Sequence, residues 1–180
     1  MIQYFGETML SLIIIRYNAS MENVTIARID NTKAENFFEL YKAITEADFN
    51  NWPREIKDRW YSVDYSLGYW EDILAEGELP IFVAFNNITM LGYVVLKNIN
   101  FGVGHIGWVG VLKEFQGKGI GKQLLNTIEE WAKENGIHKL ELEVQEPKLQ
   151  AFYKKQGYVL EGIRRNSWQH LDNYMFGKVL

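Results

Sequence analysis

The chain has 180 residues, of which 47% are apolar and 23% charged, enough for one domain with a sizeable core. Its 19 basic and 23 acidic residues are mixed along the sequence and sum to a net charge of -4, so no basic stripe argues for a nucleic-acid partner and no block of like charge for a disordered tail. There is no cysteine, and the three histidines (His105, His138, His170) are scattered; disulfides, thiolate chemistry and Cys-based zinc sites are excluded, no metal is expected, and the composition fits a cytoplasmic protein.

Residues 1–21 read as an N-terminal extension, and residues 22–180 as a single domain. The apolar run at 9–15 is too short to span a bilayer, so no membrane is expected as a partner. Glu7 precedes it and no basic segment leads it, which makes it a poor signal peptide. Residues 24–29 alternate apolar and polar, the pattern of a half-buried strand. Asp30, Asn31 and Thr32 offer caps for a helix over 33–47, where Phe37, Leu40, Tyr41 and Ile44 recur at helical spacing. A second helical region is predicted over 54–76 with an interruption near Gly68. Residues 81–85 and 90–97 form a hairpin around Asn86-Asn87. A loop is expected over 98–104 and another strand over 106–112.

A glycine-rich stretch follows that strand and opens a helix. Gly117, Gly119 and Gly121 leave backbone amides uncovered at the helix N-terminus, and Lys118 and Lys122 add positive charge. Bare amides with a partial positive dipole suit a phosphate group. The dinucleotide pattern G-x-G-x-x-G fails, because its third glycine falls on Lys122 or Leu124. The Walker pattern fails because Gln123 stands where Ser or Thr would hold magnesium. The spacing that fits is Q/R-x-x-G-x-G/A, carried by Gln116, Gly119 and Gly121 after a strand ending V-x-V.

The helix after the loop places Ile120, Leu124, Leu125, Ile128, Trp131 and Ala132 on one face, and Asn135-Gly136 ends it. Residues 139–145 alternate as a strand, with Glu141 and Glu143 opposite Leu140, Leu142 and Val144. Pro147 starts a short helix that Gly157 closes. Strands over 158–164 and 173–180 complete the order β-α-α-β-β-β-α-β-α-β-β. This order predicts an α/β (α+β) fold: a central mixed, mostly antiparallel sheet with helices on both faces.

Three segments in that order resemble the GNAT acetyltransferases: the loop from Gln116 to Gly121, L-E-L-E-V at 140–144, and A-F-Y-K-K-Q-G-Y at 151–158. The resemblance covers about residues 22–180. It implies a GNAT fold with splayed fourth and fifth strands, and acetyl-CoA as co-substrate lying between them. The pantetheine arm would pair with the backbone of Val109, Gly110 and Val111. The pyrophosphate would rest on Gln116, Gly117, Lys118, Gly119, Ile120, Gly121 and Lys122. Gly107 and Gly110 would either let the cofactor approach closely or mark a bulge and tight packing.

Acetyl transfer to an amine needs a base for the ammonium and a proton donor for the thiolate. Without cysteine, direct attack is the natural scheme. Tyr153 matches the family's tyrosine near the cofactor sulfur and is the candidate acid. Glu143 matches a glutamate base of the ribosomal-protein alanine N-acetyltransferases. His105, with an ordinary pKa near 6.5, is the rival, and a water-mediated route is a third option. The stretch E-G-I-R-R-N at 161–166 is similar to the same branch, with Ser167 and Trp168 replacing its two tyrosines. The asparagine that the family carries after the fifth strand has no counterpart. The acceptor implied is a protein or peptide α-amino group, with a small amine as the alternative and a non-catalytic acyl-CoA sensor as a reading of another class. By analogy the last strands could mediate a homodimer. Aromatic residues from Trp52 to Trp70, together with Trp168, fall in the regions that build the acceptor pocket.

Overall fold

The computed structural model describes residues 24–180; the N-terminal extension expected at 1–21 lies outside them. Strand β1 (Val24–Arg28) half-buries Val24 and Ile26 between exposed neighbours. The Asp30 carboxylate then accepts from the Thr32 amide at 3.0 Å and turns the chain into α1 (Ala34–Asp48). Phe37, Leu40, Tyr41 and Ile44 are buried along one face of this helix, as their spacing requires.

The second helical region breaks earlier than expected. Helix α2 (Arg54–Arg59) continues as a π-helical turn, Trp60–Asp64, and the chain restarts as α3 (Leu67–Glu76). The restart is set by Ser66, whose hydroxyl accepts from the Tyr69 amide at 3.3 Å. A serine that caps is a stronger helix boundary than a glycine that merely weakens one, so Gly68 sits inside the first turn.

Strands β2 (Ile81–Asn86), β3 (Thr89–Asn100) and β4 (Val103–Val111) form a meander. The expected loop at 98–104 is a two-residue turn. Phe101 and Gly102 both have positive φ, 51° and 80°, the backbone that matches the twist of a tight hairpin. Asn or Gly usually occupies the first of these positions, and the fully exposed Phe101 disguises the turn. Helix α4 (Ile120–Glu134), strand β5 (Lys139–Val144), helix α5 (Pro147–Lys155) and strands β6 (Val159–Arg164) and β7 (Asn173–Val179) follow.

The strand order is β1-β2-β3-β4-β5-β7-β6, antiparallel except between β4 and β5. One face packs Leu124, Leu125 and Ile128 of α4 on Leu96, Ile106, Leu140 and Leu142. The other packs Phe37, Tyr41 and Trp70 on Val83, Tyr93 and Val95. The predicted mixed sheet between two helical layers is therefore present.

A bulge in β4 divides its side chains between these cores. Val95 pairs with Trp108 but Leu96 pairs with Ile106, leaving Gly107 as the extra residue. Ile106 thus joins the α4 layer, while Trp108 packs on Tyr41 and Trp60 at ring separations of 5.6 and 5.3 Å. Glycine is also required where β3 and β4 meet. A Cβ on Gly92 would stand 2.6 Å from the Gly110 carbonyl oxygen and 3.1 Å from Val111 Cα. Because both obstacles are backbone, Gly92→Ala is expected to cost about 1–3 kcal/mol. Urea unfolding should show a lower midpoint at unchanged slope.

Candidate active site

The parallel pairing of β4 with β5 joins residues 103–106 to residues 139–142 and stops there. From Gly107 onward, β4 has a partner on the β3 side alone. Leu112 N donates to Leu91 O on β3. Backbone groups alternate along a strand, so Val109 and Val111 turn their amides and carbonyls toward the opening. Gln116 reaches back into it, donating from Nε2 to Val111 O at 3.0 Å.

Gly107 and Gly110 lack side chains for reasons internal to the fold. A Cβ on Gly107 would meet Lys97 Cβ at 3.0 Å, and one on Gly110 would meet Ile44 Cγ2 at 2.8 Å. Bulge and packing account for both, and the opening is bounded by the backbone of their neighbours.

The glycine loop lies where β4 ends. Gly117 and Gly119 have φ of 75° and 86°, and a Cβ on either would point into open space. Gly119 is the N-cap of α4 and offers no side-chain cap. The first amide of the helix with a backbone partner is that of Gln123, which donates to Gly119 O at 3.1 Å. The amides from Ile120 to Lys122 thus have no acceptor among the described residues at the helix N-terminus, with exposed Lys118 and Lys122 beside them. Gly121 lies against α5, its hydrogen replacing a Cβ that would stand 3.4 Å from Phe152 Cζ. Free amides on Val109 and Val111 and a row of bare amides on α4 fit a molecule with an amide-bearing arm and a diphosphate.

Glu143 and His105 share the sheet face away from α4. Glu143 Oε1 accepts from Arg164 Nη1 at 2.9 Å, and Oε2 accepts from Asn173 Nδ2 at 2.7 Å. His105 stands opposite Glu141 on β5. Burial pushes its pKa below the ordinary histidine value, opposed by the charge of Glu143. The imidazole is therefore neutral near pH 7 and able to accept a proton.

Tyr153 lies on the other face, in the α4 layer. Its ring meets those of Phe152, Tyr158 and Phe176 at 5.1, 5.8 and 6.4 Å. Burial pushes the phenol upward, so it stays protonated. Unlike the hydroxyls of Tyr41 and Tyr158, that of Tyr153 is not a sealed, unpartnered atom. The three candidates thus fall into two groups on opposite faces, separated by the opening between β4 and β5. The aromatic residues of α2 and α3 are mostly packing: Trp60 and Trp70 are buried with Tyr41 and Tyr93, whereas Trp168 is exposed on the β6–β7 connection.

Sequence reasoning missed two partners of Glu143. Arg164 belongs to the I-R-R-N stretch, but nothing local showed that it reaches β5. Asn173 had no signal at all. The rest of that stretch shapes the turn before β7, where Arg165 pairs with Asp172 and the Asn166 amide donates to Asp172 Oδ1 at 3.1 Å.

A mixed sheet whose single described parallel pair opens beside a bare helix N-terminus offers a slot and an anion site side by side. The profile of the Acetyltransferase (GNAT) family matches residues 34–158, and the chain belongs to that family. It is similar to the PaiA N-acetyltransferase of Thermoplasma acidophilum in complex with coenzyme A, at 21% identity over 88% of this chain and 99% of that one, with a TM-score of 0.76. A GNAT acetyltransferase of Elizabethkingia anophelis with acetyl-CoA bound aligns at 21% identity over 88% and 99%, with a TM-score of 0.65. The ribosomal-protein-S18-alanine N-acetyltransferase of Escherichia coli aligns at 16% identity over 87% and 94%, with a TM-score of 0.68. No curated protein matches the chain. Among the described residues no helix is long and apolar enough to cross a membrane, and no group of three metal-ligating side chains occurs.

Proposed function

We propose that the chain acetylates a primary amine by direct attack, and that the leading acceptor is the α-amino group of a protein or peptide. The observation that carries the amine is the pair of proton acceptors, Glu143 and His105, on one sheet face beside the point where β4 and β5 part. The α-amino reading rests on the similarity of residues 140–144 and 161–166 to the protein N-terminal acetyltransferases. Arg164, from the second of those segments, grips Glu143, from the first, so the two similarities describe one unit.

Acetyl-CoA supplies the activated acetyl group. The amides of Val109 and Val111 and those from Gly117 to Lys122 hold it, with Lys118 and Lys122 adding charge. The acceptor arrives as an ammonium and must lose a proton. Glu143 takes that proton on a carboxylate oxygen whose remaining lone pairs point away from Arg164 and Asn173; His105 is the alternative acceptor. Tyr153 Oη keeps a proton throughout the working range and offers it to the leaving group.

The test is CoA release from acetyl-CoA with a panel comprising a short alanine-initiated peptide, spermidine and glucosamine. Turnover with the peptide above the rate of thioester hydrolysis supports the leading acceptor. Turnover with an amine of small size alone moves the reading to that class, and silence with every acceptor leaves a binding protein. The base is found by pH–rate profiles of Glu143→Gln and His105→Ala. Activity depends on the unprotonated base, so it falls as pH drops through the base's pKa. Burial lowers the His105 pKa, so a limb owed to His105 falls below about pH 6.5. The expected result is that Glu143→Gln removes the acid limb and His105→Ala leaves it in place.

A further inference from the structure

Asn173 is fully buried, yet its side chain is a carboxamide. The orientation of that amide follows from its partner. An ionised carboxylate only accepts, so the NH2 must face Glu143 and Oδ1 must face away. Oδ1 is sealed from solvent and has no partner. An orphaned buried acceptor is destabilising, so a leucine would serve packing better here. What the carboxamide contributes is its bond to Glu143.

A second buried amide group, close to Glu143 in the sequence, is also unpartnered. Gln145 Nε2 is likewise sealed and unpartnered, and it is a donor where Asn173 Oδ1 is an acceptor. Glu143 pairs with Met175 and Val144 with Tyr174. Gln145 follows the last paired position of β5, and its amide nitrogen does not reach Asn173 Oδ1. The bond to Glu143 is thus the one the Asn173 side chain makes across β5 and β7 among the described residues.

We propose that Asn173 is a positioning residue of the acetyltransferase: it holds the Glu143 carboxylate in the orientation that receives the proton of the acceptor amine. This rests on the reading of Glu143 as base given above. Arg164 from β6 bonds to Glu143 and His105 from β4 feels its charge; Glu141 from β5, Lys97 from β3 and Arg164 act on that same imidazole. With Arg164 as the first grip, Asn173 supplies the second and fixes the plane of the carboxylate.

Asn173→Asp keeps the shape and replaces the donor with a second carboxylate beside Glu143. Like charges at this range oppose ionisation, so the acid limb of kcat/KM should move up by about one pH unit. Asn173→Ala frees one carboxylate oxygen and should lower kcat about tenfold, with KM for acetyl-CoA unchanged. The measurement is CoA release from acetyl-CoA, with the alanine-initiated peptide and with spermidine, across pH, with thermal unfolding as the control for folding. A limb that Glu143→Gln removes and Asn173→Asp displaces supports the proposal. A limb that Glu143→Gln removes but Asn173→Asp leaves in place overturns it while the base reading stands. A limb that survives Glu143→Gln overturns the base reading and the proposal together, as does silence with both acceptors.

Discussion

Tyr153→Phe is expected to lower kcat by about 10²- to 10³-fold, the range of a positioned proton donor. Affinity for acetyl-CoA should change by no more than about twofold, because a group used in the transition state alone leaves ground-state binding intact. The substitution is close to a pure deletion of oxygen. Phenylalanine keeps the ring that packs on Phe152, Tyr158 and Phe176, and the site is 7% exposed, so the core is preserved. The shape of the pH profile is the sharper readout. Burial holds the phenol above its ordinary pKa near 10, so Tyr153 stays protonated and contributes no limb in the accessible range. The loss should therefore be the same at every pH from about 6 to about 9. A Phe variant with full turnover would remove Tyr153 from the chemistry, and one whose loss depends on pH would show that it acts by tuning another group.

The elements that were legible in the sequence are those whose signals are local. The apolar stripe of α4 predicts most of its buried face: Ile120, Leu124, Leu125, Ile128 and Ala132 lie in the core, Trp131 packs on it half-buried, and Glu129 is buried without an apolar signal. Capping and turn chemistry decide what periodicity leaves open. Ser66 outranks Gly68 as a helix boundary because it supplies an acceptor to an orphan amide. The β3–β4 turn was hidden because its shape depends on positive φ at Phe101, a residue type that seldom adopts it. The bulge at Gly107 was equally hidden. It exists because Val95 and Leu96 pair with residues two apart on β4, a fact of register rather than of composition.

The same division runs through the site. The loop proposed as its anion cradle is a contiguous run from Gln116 to Lys122, so its glycines and the helix start that follows are visible without the fold. Its proton-accepting face is assembled from four strands. The grip on Glu143 comes from residues 21 and 30 positions away, and neither separation carries a pattern. Sheet order brings them together: β7 inserts between β5 and β6, so Asn173 and Arg164 meet a strand that precedes both in sequence. Acceptor chemistry was the least legible part for this reason, whereas donor chemistry rests on one short loop.

Gly119→Asp is expected to weaken acetyl-CoA binding about 100-fold, or roughly 2.7 kcal/mol, while leaving the fold intact. A side chain at this position meets nothing within 4 Å, so no core atom has to move. The left-handed φ of 86° would strain most residues, but Asp tolerates that region better than branched or bulky ones. The substitution therefore isolates charge. Gly119 is the N-cap of α4, where a carboxylate interacts favourably with the helix dipole and competes for free amides. The same carboxylate repels an incoming diphosphate. Thermal stability should thus hold while affinity falls, an opposition that Gly92→Ala, which collides with backbone, should not show. Isothermal titration with acetyl-CoA gives the affinity, and Gly119→Ala serves as the control that adds strain without charge. If Asp and Ala weaken binding equally, loop geometry governs the site; if Asp binds as tightly as glycine, the diphosphate rests elsewhere. The expected order, glycine tightest and Asp weakest, follows from the proposed cradle of backbone donors, beside which a Cβ on Gly119 meets no described atom within 4 Å.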